Sequence, residues 1–502
     1  MAGLVSELSR LFRHSAIYGF SIVLGKAIGF LLIPLYTHYI LPTDYGTLEL
    51  LDLSVDVIGM FVGLGIVSAV ARFYSASQDE NGKKKVVSTA LIALIVLVFT
   101  VIFLLFQFVA DNIAELVLGN IHLTRYVQIS LCTFAFNAIL EIPLIYLRIQ
   151  ERSIAFGVIA LSRLALSLTL NVYFIVVLGL GIVGILYSGL IVSCLFSLLL
   201  MGWCVKDVGI RFDAKLAWSM ILFGAPLILN SVGMFIVHFG DRFLLKASAS
   251  LATVGVYSLA YKIGMGLITY VISQPFLLIW SVRCYELVNE EGGLEKYGKI
   301  FSIYTLLLLS MWLTLTAFSS ELVYFMAPVE YREACLMIPI IALGYVLRSV
   351  SEFFRTSFLI AYKTNLAGWI TVAVAVYCLA NYLALIPIYQ AIGAAVATLS
   401  TFMFMVSLNG YFAFKVLPVN YRLTRFLLSL GVFIPAGIGC FLLNEEQPMF
   451  TVALVKACIV ILSCLLSFVC IFDGYEREHA FVIFKKATLK LVSLIGIKSS
   501  RS

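Results

Sequence analysis

Residues 26–59, KAIGFLLIPLYTHYILPTDYGTLELLDLSVDVIG, set the class of this protein. Two apolar segments meet at the Leu41–Gly46 turn, because proline cannot continue a helix and glycine tolerates a tight turn. We therefore predict two antiparallel neighbouring helices. Lys26 lies in the first, and Asp52 and Asp56 lie one helical turn apart on one face of the second. A charge at the centre of a membrane helix costs about 2.5–3.5 kcal/mol on insertion scales, so these three side chains predict a polar interior.

The composition is that of an integral membrane protein. Of 502 residues, 62% are hydrophobic and 12% are charged, whereas soluble domains are about 25% charged. Apolar runs of about 20 residues recur, which is the length of a helical span rather than of a barrel strand. We predict an all-α polytopic protein with about fourteen transmembrane helices, at 15–40, 48–72, 87–110, 123–147, 154–178, 181–203, 217–239, 254–282, 300–325, 335–359, 366–386, 391–414, 425–443 and 450–472.

The basic residues predict how the chain is oriented. The net charge is +7, but lysine and arginine concentrate at span ends, which favours a role in membrane orientation over nucleic-acid binding. One alternating set of loops is rich in them and contains Lys83, Lys84, Lys85, Arg148, Arg152, Lys206, Arg211, Lys296, Lys363 and Arg422. The opposite loops carry little more than Arg125, Arg242, Lys246 and Arg332. The positive-inside rule then predicts that both termini are cytoplasmic.

An internal repeat organises the spans. Three pairs of positions share nearly one offset: Glu141 with Glu352 at 211, Asn171 with Asn381 at 210, and Gly46 with Gly255 at 209. Each copy holds about six spans, an even number, so the copies share an orientation, as in transporters built from parallel repeats. We predict an N-terminal six-helix lobe at 1–210, a C-terminal six-helix lobe at 211–414, two further transmembrane helices at 415–475 and a basic tail at 476–502.

The tail reads as an amphipathic helix over 476–495. Its apolar side chains point one way and Lys485 and Lys486 another, which suits a helix lying on the anionic inner leaflet. A solvated tail is the alternative.

No catalytic motif is present. The chain has no GxSxG, no Walker loop and no zinc motif. The ten cysteines are scattered with no CxxC pair, and the five histidines are isolated, so they predict neither a disulfide framework nor a metal site. We therefore predict a protein that is not an enzyme and that needs no cofactor.

The ionisable residues inside predicted spans are the candidate functional groups, because charges in a membrane are expensive. The cations Lys26 and Lys262 are predicted to line a cavity that binds an anion, and Arg163 and Arg348 are further intramembrane cations, of which Arg163 lies too deep in its span to reach the membrane surface easily. A lipid-linked sugar carries phosphate or pyrophosphate, which needs compensating cations to cross about 30 Å of hydrocarbon. The carboxylates Asp52, Asp56, Glu141 and Glu352 either couple transport to Na⁺ or protons or balance nearby cations, and the sequence does not rank these alternatives.

Three sets of charged residues also have structural interpretations that involve no ligand. Arg348, Glu352 and Arg355 share one helical face and can neutralise one another. Asp241 and Arg242 can form an interfacial pair or a helix cap. Lys456 can keep its aliphatic carbons in the membrane and extend its ammonium to the membrane surface.

Four segments carry a resemblance that covers nearly the whole chain: PLYTHYILPTDYG at 34–46, Asp241-Arg242 followed by GVYSLAYKIG at 255–264, ALGYVLRSVSEFFRTSFLIAYKT at 342–364, and AIGAAVATLST at 391–401. Their order and spacing are similar to those of polysaccharide flippases, the O-antigen-transporter branch of the multidrug/oligosaccharidyl-lipid/polysaccharide exporter superfamily.

The resemblance implies two six-helix lobes around a V-shaped cavity in a bacterial inner membrane. It implies that an undecaprenyl-pyrophosphate-linked oligosaccharide is moved to the outer leaflet by alternating access, alongside a polysaccharide polymerase and glycosyltransferases. By position, the role of holding the anionic head group would fall on Lys26, Arg163, Lys262 or Arg348.

Two other hypotheses are weighed against the flippase. A cation-coupled multidrug exporter of the same superfamily would depend on Asp52 or Asp56. A membrane-bound glycosyl- or acyltransferase would need a catalytic pair facing one leaflet, and the sequence shows none.

Overall fold

The structure, a computed structural model, describes residues 25, 29–30, 32–417, 419–443 and 450–471. Lys26, most of the first predicted span and the predicted amphipathic tail at 476–495 lie outside the described residues.

Every regular element among the described residues is a helix, which confirms the all-α prediction. The longer helices are α1 (Pro42–Val62), α2 (Leu64–Ala76), α3 (Glu80–Phe108), α4 (Thr124–Ile149), α5 (Ser153–Val172), α6 (Gly181–Val208), α7 (Ala214–Ser248), α8 (Leu251–Gly266), α9 (Gln274–Val288), α10 (Gly293–Ala317), α11 (Ser319–Met326), α12 (Ala334–Ile360), α13 (Thr364–Val416), α14 (Leu423–Leu442) and α15 (Phe450–Ile471). Residues 32–39 are also helical. Short helical turns lie at Ala110–Ile113, Ala114–Leu118, Ile121–Leu123, Tyr173–Val177, Leu267–Ser273 and Val329–Tyr331.

Ten helical segments in this part of the chain are long and apolar enough to cross a membrane, and the α1–α2 pair, bent by 43°, is an eleventh. They make the chain a multi-pass membrane protein. The total of about fourteen stays a prediction, because the first predicted span lies mostly outside the described residues. The predicted spans 366–386 and 391–414 are two helical stretches, numbered together as α13, that fold back on each other at Gln390, where the backbone is not helical (φ 48°, ψ −125°). The rings of Tyr377 and Phe404, one from each stretch, lie 4.4 Å apart.

The apolar side chains gather in two main cores. The larger one runs through α8, α10, α12 and α13, and a second joins α2, α3, α4 and α6. The helices α14 and α15 pack against each other and against α10.

The predicted turn at Leu41–Gly46 is shorter than the sequence suggests. Helix α1 begins at Pro42, directly after the extended Leu41. Proline suits the first turn of a helix, because its fixed φ is helical and the N–H that it lacks would have no partner there. Gly46 is therefore a helical residue, and its lack of a side chain serves packing rather than turning.

Helices α1 and α8 touch backbone to backbone where both begin. A Cβ atom on Gly46 would overlap the carbonyl oxygen of Leu251, and a Cβ atom on Gly255 would overlap the carbonyl oxygen of Pro42. Both glycines and both first residues are 209 positions apart, so the contact is symmetric with respect to the repeat. We call this end of the molecule the Pro42 end.

Two hydrogen bonds close the Pro42 end further. The Thr37 hydroxyl donates to the carbonyl of Met326 at 2.6 Å, and the Tyr331 hydroxyl donates to the carbonyl of Ile40 at 3.0 Å. Both bonds join the first half of the chain to the second.

A second close approach lies at the other end of the bent pair. A Cβ atom on Gly224 of α7 would overlap the Cα atom of Gly65 in α2. The Arg72 guanidinium lies 4.4 Å above the ring of Phe223 nearby. We call this the Ala76 end, after the last residue of α2. The two halves of the sequence are thus in contact at both ends of the α1–α2 pair.

The repeat has a local backbone counterpart at two helix ends. Glu151 after α4 and Tyr362 after α12 are 211 positions apart, and both have a φ of 56°. The amide of each donates to the carbonyl three residues earlier, on Arg148 and Leu359. The predicted lobe boundaries at 210 and 414 remain predictions.

A buried ion pair fastens α15 to α11. The Lys456 ammonium lies 2.5 Å from the Glu321 carboxylate, and the lysine side chain is only 1% exposed. The sequence-based interpretation that Lys456 extends to the membrane surface is therefore wrong, because Glu321 provides a partner for the ammonium inside the protein.

Replacing Lys456 with methionine is expected to lower the free energy of unfolding by about 3–5 kcal/mol, because the partner carboxylate would stay buried without this counter-ion. Thermal unfolding of the purified protein in detergent measures the change. Lys415→Met is the control, since Lys415 is exposed at the end of α13, and it should cost no more than about 0.5 kcal/mol. Equal melting temperatures for the two variants would contradict a stabilising role of the Lys456–Glu321 pair.

Candidate functional site

Four charged side chains meet where α1, α7 and α8 come together, and we call them the Glu49 cluster: Glu49, Asp241, Arg242 and Lys262. The Lys262 ammonium lies 2.8 Å from Glu49 Oε2, and Arg242 Nε lies 3.9 Å from Glu49 Oε1. The glutamate comes from the first half of the chain and the two cations come from the second. The cluster is therefore an electrostatic link between the halves.

Helical spacing explains how α1 presents its part of the cluster. Tyr45, Glu49, Asp52 and Asp56 are separated by four, three and four residues, so they share one helical face. On α8, the residues Leu251, Gly255, Ser258 and Lys262 have the same spacing. Because the two glycines allow the backbones to touch, the charged positions one to two turns further along are brought into contact.

Arg242 is held rigidly inside the cluster. One guanidinium nitrogen donates at 2.7 Å both to Asp241 Oδ1 and to the carbonyl of His238, and the guanidinium lies 3.8 Å above the ring of Tyr261. The Tyr257 hydroxyl donates to the other oxygen of Asp241. Arg242 is 1% exposed and Asp241 is fully buried. Their mutual neutralisation makes this part of the cluster structural.

A chain of hydroxyl and ring contacts leads away from the cluster. The hydroxyls of Tyr261 and Tyr345 are hydrogen-bonded to each other, and His238 Nδ1 lies 3.1 Å from the Tyr345 hydroxyl. The Arg348 guanidinium lies 5.7 Å from the ring of Tyr345. His238 therefore joins the Glu49 cluster to the cavity that it lines.

A cavity of about 530 Å³ lies beside the cluster, between α1, α2, α4 and α7. Its walls are mainly apolar, with three titratable groups among them. Asp56 and Glu141 come from the first half and His238 from the second; the other lining residues are Gly59, Met60, Gly63, Val67, Phe134, Ala138, Ser231, Met234, Phe235 and Phe239. An apolar pocket with a few polar groups is typical of a site for an organic ligand.

The structure brings several of the predicted site residues together. Lys262 is 39% exposed and bonded to Glu49. Asp52 lies one turn along α1 from Glu49 and is exposed, while Asp56 and Glu141 face the same cavity. These four residues lie along the boundary between the halves, as a transport path requires.

The remaining predicted residues are placed differently. Arg163 on α5 donates to Asn137 of α4 at 2.9 Å, one turn before Glu141. Arg348 stands beside Tyr345, and among the described residues its buried Nε has no hydrogen-bond partner. Glu352 and Arg355 are paired at 3.4 Å, in line with the neutralising interpretation. Lys26 lies outside the described residues.

Sequence reasoning missed Glu49, His238 and Tyr345 as site residues. Glu49 lies three residues before Asp52 on the same helical stripe, so the stripe itself was a usable signal. The prediction leaves Glu49 out of the candidate site, because a turn that extends to Gly46 places Glu49 at the end of a span. The Asp241–Arg242 pair was recognised, but its complete burial depends on packing that the sequence does not show.

The charged side chains of the site can bind and neutralise charge. Arg242 lies 5.4 Å from the ring of Phe239 in the cavity wall, and Arg348 lies beside Tyr345, the partner of His238. Lys262 is bonded to Glu49, outside the cavity lining. Among the described residues, no three histidine, cysteine or carboxylate side chains are grouped so that they could hold a metal ion.

Comparisons with known proteins bear on the family and the fold of the chain. A family model described as "Polysaccharide biosynthesis protein" matches residues 11–274, which is more than half of the chain. The chain belongs to this polysaccharide biosynthesis protein family, and the predicted resemblance is confirmed. No curated protein matches the chain.

Three solved structures share the fold. The lipid II flippase MurJ in an inward closed conformation superimposes with a TM-score of 0.71 at 16% identity, over 91% of this chain and 98% of that one. An inward-facing multidrug resistance MATE transporter of the MOP superfamily gives a TM-score of 0.60 at 15% identity, over 77% and 93%. A mutant of the Vibrio cholerae MATE transporter VcmN gives 0.57 at 15% identity, over 83% and 98%. The fold is that of this group of transporters.

Proposed function

We propose that this protein is a flippase. It moves an oligosaccharide linked to a lipid of the undecaprenyl-pyrophosphate type from the inner to the outer leaflet, for surface polysaccharide synthesis. The observation that carries the proposal is Lys262, a partly exposed ammonium at the boundary between the halves, whose partner Glu49 shares one face of α1 with Asp56 of the cavity wall. Membership of the polysaccharide biosynthesis family and the likeness of the fold to a lipid II flippase support it.

The physical requirement is to carry a multiply charged head group across the membrane. A pyrophosphate in hydrocarbon is prohibitively costly, so it needs cations in a path lined by protein and water. Lys262 and Arg348 meet this need from α8 and α12, and we assign Lys26 and Arg163 to the same path. Arg242, neutralised by Asp241, holds the α7 side of the cluster in place behind Lys262. The carboxylates Asp52, Asp56, Glu141 and Glu352 are assigned to ion coupling or charge balance.

Alternating access follows from the two contact regions between the halves. The lobes 1–210 and 211–414 would separate at the Pro42 end and at the Ala76 end in turn. The loops rich in lysine and arginine lie at the Ala76 end, which makes it cytoplasmic in a bacterial inner membrane, together with both termini. Glycosyltransferases are expected to act before the flipping step and a polymerase after it.

The test is the leaflet location of lipid-linked sugars in a strain that lacks this gene. We expect unpolymerised intermediates to accumulate on the cytoplasmic face and the wild-type gene to clear them. Lys262→Ala should reduce clearance at least about tenfold at equal protein level, because the loss of one charge-assisted contact is worth about 1.5–3 kcal/mol. Lys363→Ala, at an exposed loop position, is the matched control.

A different result would favour the second candidate, a cation-coupled multidrug exporter. Asp56 and Glu141 facing one cavity, and the likeness to MATE structures, are the observations in its favour. Normal polymer in the deletion strain, together with drug sensitivity that depends on Asp56, would replace the flippase proposal with this one.

A further inference from the structure

Glu49 stands where an anionic ligand of Lys262 would bind. Its carboxylate is nearly buried, at 8% exposure of the residue, and lies 2.8 Å from the ammonium. Lys262 also lies 4.7 Å from the ring of Tyr45, and 39% of its side chain is exposed. The lysine can therefore be reached from the cleft, whereas its present partner belongs to the protein.

The charges of the cluster divide into two pairs. Asp241 is committed to Arg242 and to the Tyr257 hydroxyl, all three of them buried. Glu49 is thus the carboxylate that neutralises Lys262, with Arg242 more distant at 3.9 Å. Any anion that binds Lys262 must compete with Glu49.

We propose that Glu49 is the specificity-determining residue of the flippase: an internal counter-ion that a pyrophosphate-type head group displaces from Lys262 more readily than a monophosphate does. The inference rests on the proposed function and adds a selection step to it. A ligand with a single phosphate carries less charge than a pyrophosphate and competes less well with a carboxylate that is already in place.

Displacement also has a mechanical consequence. A buried carboxylate that loses its counter-ion is strongly destabilised unless water or a new partner reaches it. Glu49 lies three residues from Gly46, where α1 and α8 touch backbone to backbone, and the residue is 8% exposed. The carboxylate becomes more fully hydrated when the helices separate. Binding of the head group therefore favours opening of the Pro42 end, towards the outer leaflet.

The experiment measures binding selectivity and opening in one preparation. The probes are undecaprenyl pyrophosphate and undecaprenyl monophosphate, added to the full chain in nanodiscs. Opening is followed at Ser258→Cys, a near-isosteric change at a fully buried position on the α8 face that carries Gly255 and Lys262. Labelling by a membrane-impermeant maleimide, above the background of the chain without Ser258→Cys, reports exposure.

We expect the wild type to prefer the pyrophosphate by about tenfold or more, since a tenfold ratio needs only about 1.4 kcal/mol of competition. Glu49→Gln should bind both probes more tightly, lose most of the preference and label at Ser258→Cys without a probe. Glu115→Gln removes an exposed carboxylate at the Pro42 end and should resemble the wild type. Lys262→Gln combined with Glu49→Gln should bind neither probe and serves as a second variant if the single one folds poorly.

The outcomes separate this inference from the proposed function. If the wild type binds neither lipid, the flippase proposal fails. If the wild type binds the pyrophosphate but Glu49→Gln keeps both its selectivity and its low labelling, the role of Glu49 is overturned while the flippase stands.

Discussion

Replacing Arg242 with methionine is expected to lower the free energy of unfolding by about 3–5 kcal/mol, the usual cost of leaving one partner of a buried ion pair behind. Asp241 is fully buried and its Oδ1 lies 2.7 Å from the guanidinium, so the carboxylate would lose its counter-ion. Glu49 would lose its second cation, and Tyr261 would lose the charge that lies 3.8 Å above its ring.

Thermal unfolding in detergent and the yield of monodisperse protein measure this loss. Arg355→Met is the matched control, because Arg355 is 39% exposed and pairs with Glu352 on its own helix, an arrangement worth at most about 1 kcal/mol. Adding Asp241→Asn to Arg242→Met removes the orphaned charge and should recover part of the stability. If Arg242→Met has the same melting temperature as Arg355→Met, the buried Asp241–Arg242 pair does not stabilise the fold.

Replacing Gly46 with alanine is expected to abolish closure of the Pro42 end and to reduce transport at least about tenfold, because close-packed interiors cannot absorb even one added methyl at a backbone contact. The new Cβ atom would overlap the carbonyl oxygen of Leu251 and press on the amide of Gly255. Both obstacles are backbone atoms of a helix, so neither can rotate away as a side chain would.

Maleimide labelling of Ser258→Cys detects the open end, and clearance of lipid-linked intermediates detects the loss of transport. Gly202→Ala is the control, since a Cβ atom there meets nothing within 4 Å. Alanine in a helix is favoured over glycine by about 1 kcal/mol, so the control should be neutral or slightly stabilised. A fully active Gly46→Ala protein with low labelling would show that the Pro42 end does not need this contact to close.

Much of the candidate site was predictable from α1 alone. Asp52 and Asp56 were placed on one helical face by their spacing, and the structure puts Asp56 in the cavity wall. Glu49 belongs to the same stripe but was missed, because the start of the helix was predicted several residues too late. Proline at the first helical position, rather than inside the turn, accounts for that difference.

The cations show where sequence reasoning stops. Lys262 and Arg348 were both recognised as intramembrane charges, but their surroundings differ. Lys262 is paired with a glutamate from the other half of the chain, whereas the buried Nε of Arg348 has no hydrogen-bond partner in the part of the chain that the structure describes. Hydropathy and helical period describe a residue's own segment, and neither tells which distant segment supplies a partner.

The sequence by itself determined that this chain is an all-helical membrane protein, which stretches are apolar enough to span and which charges lie inside them. Those properties depend on the length and the helical periodicity of apolar runs. Charges inside such runs are easily recognised, because a charge in hydrocarbon is costly and therefore rare. Only the tertiary structure decided that Glu49 neutralises Lys262 and that Arg242 is locked to Asp241. Such pairings depend on how closely two helices approach, and here that distance is set by Gly46 and Gly255, which lie in opposite halves of the chain.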